Sequence, residues 1–411
     1  MQQQRLIVTS YFRLALSCTI GSALYCIPAL TLADDIKDLG FILEDQAFTP
    51  AESGPLSASN PLNIHGFASV GMVKASQDTE HRFGFNKKMD YSTDSVLALQ
   101  MSYALNQDAK FVIQLTAQGK QYFDVGADWA YVDYQWTDNL RTKLGRIRSP
   151  LYYFSESVDV GFSYPFIRPP LEVYAADDNS LEGLDISYDF NFFSLPSTVQ
   201  IFTGDTDGEI NNPVYVDNPT YTGYINVRRS TIDDEWGINL VSYKNNLTTR
   251  LGYLTFDANI DFSLPLGPAV LFDSISQRAE YYSAAVLYDN ALWYFVSEIG
   301  QFNAIEATVA PDNEVGYVCV GYHVQKWLPY FIFGARNPTD SLSPTQIAQH
   351  GKSVSIGTKY ELDFNMSAKF EINHYFDFNG SEGTLGGNFT NGTEPQKDST
   401  TIVGFVIDVV F

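Results

Sequence analysis

The chain has 411 residues, 25 basic against 48 acidic side chains for a net charge of −23, and three cysteines. An acidic balance of this size disfavours nucleic acid or anionic lipid as a partner, and so few cysteines exclude a disulfide-stapled scaffold. Aromatics reach 15%, yet after the first 33 positions no run approaches the roughly 18 apolar residues of a spanning helix.

The first 33 residues read as a signal peptide: Arg5 and Arg13, an apolar stretch from Leu14 to Leu32, and small Ala33 ahead of Asp34 and Asp35. Cleavage after Ala33 removes Cys18 and Cys26. Cys319 is left alone, unable to form an intramolecular disulfide and best placed as a small apolar wall residue. Residues 34–61 are Asp-, Glu-, Pro- and Ser-containing with little periodicity, and are expected to be an N-terminal periplasmic extension.

From position 62 onward, segments of about ten residues alternate apolar and polar with period two and end at Gly, Asn, Asp or Pro, the pattern of half-buried strands. In 94–105, Leu97, Leu99, Met101, Tyr103 and Leu105 share one face; in 109–120, Phe111, Ile113, Leu115 and Ala117 oppose Gln114, Thr116, Gln118 and Lys120. The segments are 62–73, 94–105, 109–120, 127–136, 140–148, 181–190, 197–204, 235–244, 248–257, 278–288, 291–300, 314–324, 328–336, 352–361, 366–376 and 401–411, sixteen in all. Their connections alternate between short turns and long loops, apart from a brief 121–126 on the long side. This alternation predicts an all-β fold, a transmembrane antiparallel β-barrel over 62–411 with turns at the periplasmic rim and loops outside, in the outer membrane of a Gram-negative bacterium. The segment 220–229 also has strand character; it is assigned to a long loop because counting it breaks parity, with eighteen strands as the alternative. The extension at 34–61 is then either a mobile tail or a segment folded into the lumen.

The last segment puts Val403, Phe405, Ile407, Val409 and Phe411 on one face and stops at the C-terminus. In a membrane every strand edge must be paired, so it is expected to close on strand 62–73 with Phe411 toward lipid. The terminal aromatic resembles the signal read by the outer-membrane barrel assembly machinery.

The connection 149–180 carries Tyr152, Tyr153, Phe154, Phe162, Tyr164 and Phe166 with Pro165, Pro169 and Pro170, too apolar for bulk water and too long for a plain connector. It is expected to fold into the lumen and narrow it; a contact between subunits outside the barrel is the alternative. Arg141 and Lys143 share a face of the preceding strand, Arg146 and Arg148 follow at its outer end, and the loop adds Glu156, Asp159, Arg168 and Glu172. A basic wall facing an acidic loop across a wet constriction sets ion preference without a binding pocket; ordinary solvated charge on a channel wall is the competing reading.

Catalytic signatures are missing from the sequence: it has no H-E-x-x-H, G-x-S-x-G or paired CxxC. His65, His81, His323, His350 and His374 are too scattered for a metal cluster, and Asp205 to Glu209 lacks the later ligands of a calcium loop. Neither catalytic residue, metal nor cofactor is expected.

The stretch 129–174, with Thr137-Asp138-Asn139-Leu140, Gly145-Arg146-Ile147-Arg148, Pro150, Ser155-Glu156-Ser157 and Arg168-Pro169-Pro170, resembles the proteobacterial outer-membrane porins, in particular gammaproteobacterial porin-like proteins distantly related to phosphate-selective porins. The resemblance implies a sixteen-stranded barrel, a homotrimer, a third external loop folded inward as a constriction, and passive diffusion of small hydrophilic solutes and ions. A substrate-specific channel for an anion or nutrient is the alternative. Phosphate selectivity does not carry over, because Asp133, Asp185, Asp189, Glu361 and Glu371 are expected to face inward beside the basic residues.

Overall fold

The computed structural model describes residues 61–77, 85–174, 180–208, 212–217, 222–266, 269–305, 312–339, 350–378 and 399–411. The expected signal peptide (1–33) and, but for Pro61, the expected extension (34–61) lie outside the described residues. The strands are β1 (Leu62–Ala75), β2 (Val96–Ala104), β3 (Ala109–Gln118), β4 (Val125–Thr137), β5 (Leu140–Arg148), β6 (Ser180–Phe192), β7 (Leu195–Gly208), β8 (Asn212–Asp217), β9 (Thr222–Lys244), β10 (Leu247–Leu266), β11 (Ala269–Asp289), β12 (Trp293–Ile305), β13 (Asn313–Tyr322), β14 (Trp327–Pro338), β15 (Gly351–Asp363), β16 (Met366–Phe376) and β17 (Ser399–Val410).

Each strand pairs antiparallel with its neighbours, and β17 returns to β1 from Phe67↔Val410 to Ala75↔Ile402, so the sheet closes into a barrel. Closure gives each of the staves a partner on both sides, as a strand structure in hydrocarbon requires. The barrel has sixteen staves. The short β8 continues the line of β7 and pairs with the upper part of β9, Asn212↔Val227 to Asp217↔Thr222.

Here the structure corrects the expected loops 205–234 and 258–277. Within the expected segment 220–229, residues 222–229 are strand, but as an extension of β9 rather than a stave of their own, so eighteen does not arise; 220 and 221 lie outside the described residues. β10 and β11 stay paired from Leu247↔Tyr288 to Leu266↔Ala269. Crossing a bilayer takes about 9–11 tilted residues, whereas β9, β10 and β11 have 23, 20 and 21. The surplus backbone satisfies its hydrogen bonds within hairpins that run on beyond the membrane. Sequence periodicity cannot separate such a hairpin from an added stave, because both alternate with period two.

Alternation sorts the side chains. On β17, Ile402, Val406 and Asp408 are buried inward, while Val403 and Ile407 are exposed with Phe411 beyond them. Leu97, Leu99 and Tyr103 of β2 and Phe331 and Phe333 of β14 likewise face out. At the strand ends next to the short turns, exposed Tyr103, Trp136, Phe192, Phe193, Trp293, Trp327 and Phe411 form a band. Within it Trp293 and Tyr322 lie 4.9 Å apart, and Trp327 and Tyr360 4.4 Å. Amphipathic rings collect at this depth because one edge meets lipid and the other water. A tight two-residue turn, Phe193-Ser194, closes β6 onto β7 with both φ angles positive (48° and 66°), as the right-handed strand twist favours.

Candidate functional site: a loop seated in the barrel

β5 ends where Ser149-Pro150 turns the chain inward; proline cannot donate to a ladder. The Pro150 carbonyl accepts from Asn239 Nδ2 at 3.0 Å and from the Arg250 guanidinium, which also reaches the Leu151 carbonyl at 3.1 Å. From there to Tyr174 the loop lies within the lumen, with short 3-10 turns at Ser155–Ser157 and Gly161–Ser163.

Its aromatics build a dry core against one half of the wall. Phe154, Tyr164 and Phe166 pack together with centroids 4.9–5.7 Å apart. Tyr152 meets Tyr281 of β11 at 5.9 Å, Phe166 meets Tyr330 of β14 at 6.4 Å, and Tyr174 meets Tyr317 of β13 at 6.4 Å. Val296, Cys319 and Ile332 complete the wall side, each buried, with Cys319 the small apolar residue its sequence context predicts. Burying an aromatic ring is worth about 1.5–3 kcal/mol, so the cluster offsets the ordering cost of several loop residues. Glu298 of β12, also buried, accepts from the Tyr153 N–H at 3.0 Å and the Tyr174 hydroxyl at 2.7 Å, tying both ends of the loop to one carboxylate.

The wall of β3–β6 is chemically different. Register places Lys110 opposite Asp133, Asp133 opposite Lys143 and Lys143 opposite Asp185, a row alternating in charge across four strands. Arg141 clamps Asp133 through Nε at 2.7 Å and through a second nitrogen, with Lys110 3.4 Å from the same carboxylate. Lys143 bridges to Glu156 of the loop at 2.8 Å. Beside the charged row, Gly145, Gly183 and Gly204 are in register on three adjoining strands, and a Cβ on any of them would collide with neighbouring backbone. Gly145 has φ +134°, a conformation open to glycine. On this side water reaches the charges, with the side chains of Glu156 38% and Arg141 32% exposed.

The eight residues singled out from sequence separate by position. Arg141, Lys143 and Glu156 meet on the water-exposed side. Arg148 bonds Asp159 at 2.6 Å and Asp128 at 3.2 Å. Asp128 shares the inner face with Trp129 through a bulge between Gln114 and Leu115 on the partner strand. Arg146 falls on the Leu144 face and pairs with Glu182 at 2.8 Å, away from the loop. Arg168 grips Asp94 with two nitrogens at 3.0 and 2.6 Å. Glu172 is fully buried, its carboxylate against the Gly334 backbone beside Ser353. The Lys143 ammonium holds the Glu156 carboxyl below the usual range, whereas burial pushes that of Glu172 up. Sequence reasoning missed Lys110, Lys359, Lys369 and Glu298; Lys369 sits two residues from Glu371, on the face already expected to be lumenal, and parity alone flags it.

No protein-family model matches the chain, and no curated protein matches it in sequence. Solved structures do match in fold. The outer-membrane protein OmpT of Vibrio cholerae aligns with a TM-score of 0.55 at 11% identity, over 85% of this chain and 97% of that one; a trimer form of it aligns at 0.51. OmpF of Salmonella typhi, in complex with daunomycin, aligns at 0.53 and 12% identity over 85% and 97%. An anion-selective porin from Comamonas acidovorans aligns at 0.52 and 14% over 85% and 99%. The fold is that of the outer-membrane porins of Gram-negative bacteria, and the apolar outer face with its aromatic band supplies the surface such a membrane requires.

Proposed function

We propose that the protein is an outer-membrane porin, a passive water-filled channel for small hydrophilic solutes and ions, without enzymatic activity and assembled as a homotrimer. The observation that carries this reading is the division of the lumen: one half sealed by an aromatic loop, the other lined by water-exposed charge where the loop meets the wall. Such a passage passes polar solutes while excluding large ones. The homotrimer rests on the resemblance of 129–174 to porin sequences, and the signal peptide on its composition.

Weak selectivity is favoured over a dedicated anion or nutrient channel because the wall cations are matched. Arg141 is spent on Asp133, Lys143 on Glu156 and Arg148 on Asp159, so these wall cations form no ladder of unpaired positive charge among the described residues. The test is planar-bilayer recording of the purified protein with a salt gradient. Linear conductance and a small reversal potential are expected. Conductance that saturates with one solute and is blocked by it would favour the specific channel, and no conductance would overturn both.

A further inference from the structure

The tip of the inward loop also has to be held against the wall, and β15 and β16 supply two lysines there. Lys359 of β15 and Lys369 of β16 are register partners and both point inward. Lys369 is 0% exposed. Its ammonium donates to the carbonyls of Gly161 and of Phe166, the latter at 2.9 Å, and lies 4.7 Å from the centre of the Tyr164 ring. Lys359 donates to the Phe162 carbonyl at 2.7 Å and sits 4.3 Å from the Phe162 ring centre.

The same ammonium of Lys369 pairs with Asp408 of the closing strand at 3.1 Å. Asp408 in turn accepts from Ser69 of β1 at 2.6 Å and Ser367 of β16 at 3.3 Å. Gly161 rests on this network so closely that a Cβ there would strike Asp408 and Ser69. The carbonyls of an irregular segment have no ladder to join, and buried ones need a donor from elsewhere. Lysine, with three donors on a flexible stem, can serve several at once.

We propose that Lys359 and Lys369 are positioning residues for the constriction: they seat the loop tip, Gly161 to Phe166, on the wall of β15 and β16 beside the closed seam and thereby hold Glu156, five residues upstream of Gly161, at Lys143. This rests on the channel reading above. One ammonium, that of Lys369, thus bonds both the loop tip and Asp408 of the closing strand.

The test is single-channel recording of the full-length protein carrying Lys359→Met or Lys369→Met, alongside Lys359→Arg. Both methionine variants are expected to add flicker between levels and raise mean conductance by about 1.5-fold or more, as the tip leaves the wall. Their reversal potential should move toward that of Glu156→Gln, a change that mere loss of stability would not produce, and Lys359→Arg should restore the wild-type trace. Should Lys369→Met fail to assemble, Lys359→Met decides alone, since it does not touch the seam. Variants that assemble with unchanged conductance, flicker and reversal potential overturn the proposal and leave the channel reading standing. A wild-type protein that does not conduct overturns both.

Discussion

Phe411 and Gly66 hold the two ends of the described chain together. The Gly66 N–H donates to the Phe411 carbonyl at 2.7 Å, the Phe411 N–H returns to the Gly66 carbonyl at 2.9 Å, and the Phe411 ring covers the place a Gly66 side chain would take. The ring is on the outer, lipid-facing surface and the residue is 59% exposed. A glycine on a strand loses cross-strand packing, and an aromatic laid over it restores some.

Removal of Phe411 is therefore expected to act on assembly rather than on the pore. Deleting it should lower the heat-modifiable, membrane-inserted fraction on gels severalfold, while the molecules that do insert conduct normally. Normal insertion of the deletion variant would refute this.

Neutralising Glu156 leaves Lys143 without its loop partner on the exposed side of the lumen. Glu156→Gln should shift the reversal potential toward anion preference, and Arg141→Ala, which leaves Asp133 with Lys110 as its remaining cation, should shift it toward cations. Opposite signs for the two variants are the expected outcome of bilayer recordings under one salt gradient.

Glu172 and Glu156 titrate with opposite consequences. Burial raises the Glu172 carboxyl above its unfolded value, so its contribution is complete below that value and is lost as pH rises through the folded one. Lys143 lowers Glu156, so that contribution is present above its unfolded value and is lost as pH falls through the folded one. Arg336, Ser353 and Tyr375 are the charged and polar groups facing Glu172. Glu172→Gln keeps the shape and removes the ionisation, so it should raise the thermal transition relative to wild type at about pH 9 and lose that advantage near pH 4. Equal behaviour at both pH values would argue against a buried, protonated carboxyl.

Tyr174 links the far end of the loop to the wall. Its hydroxyl donates to Glu298 and accepts from the Phe154 N–H at 3.0 Å. Tyr174→Phe removes one hydrogen bond from each buried partner, leaving Glu298 with the Tyr153 N–H, and should cost about 1–3 kcal/mol, read as a lower temperature for the heat-modifiable gel shift. Tyr103→Phe, in the exposed aromatic band, should change that temperature far less.

What the sequence by itself determined follows from local rules. Period-two alternation marks each stave and its lipid face, the placement of Asn, Asp and Gly marks the turns, and the aromatic density of 149–180 marks a loop that has to be buried. These need no partner to be read, since pleat and turn chemistry act over a few residues. Tertiary structure decided the rest. Whether 222–229 is a stave or a hairpin arm depends on which strand β7 pairs with, and it pairs with β9 itself. That Arg141 is matched by Asp133 and Lys143 by Glu156, while Arg146 turns to Glu182 away from the loop, depends on register between strands and on the path of the loop. Lys369 meets Gly161, 208 residues earlier in the chain, only because barrel closure and the inward turn at Pro150 bring them to one place; charge patterning in sequence names the lysine but not its partner.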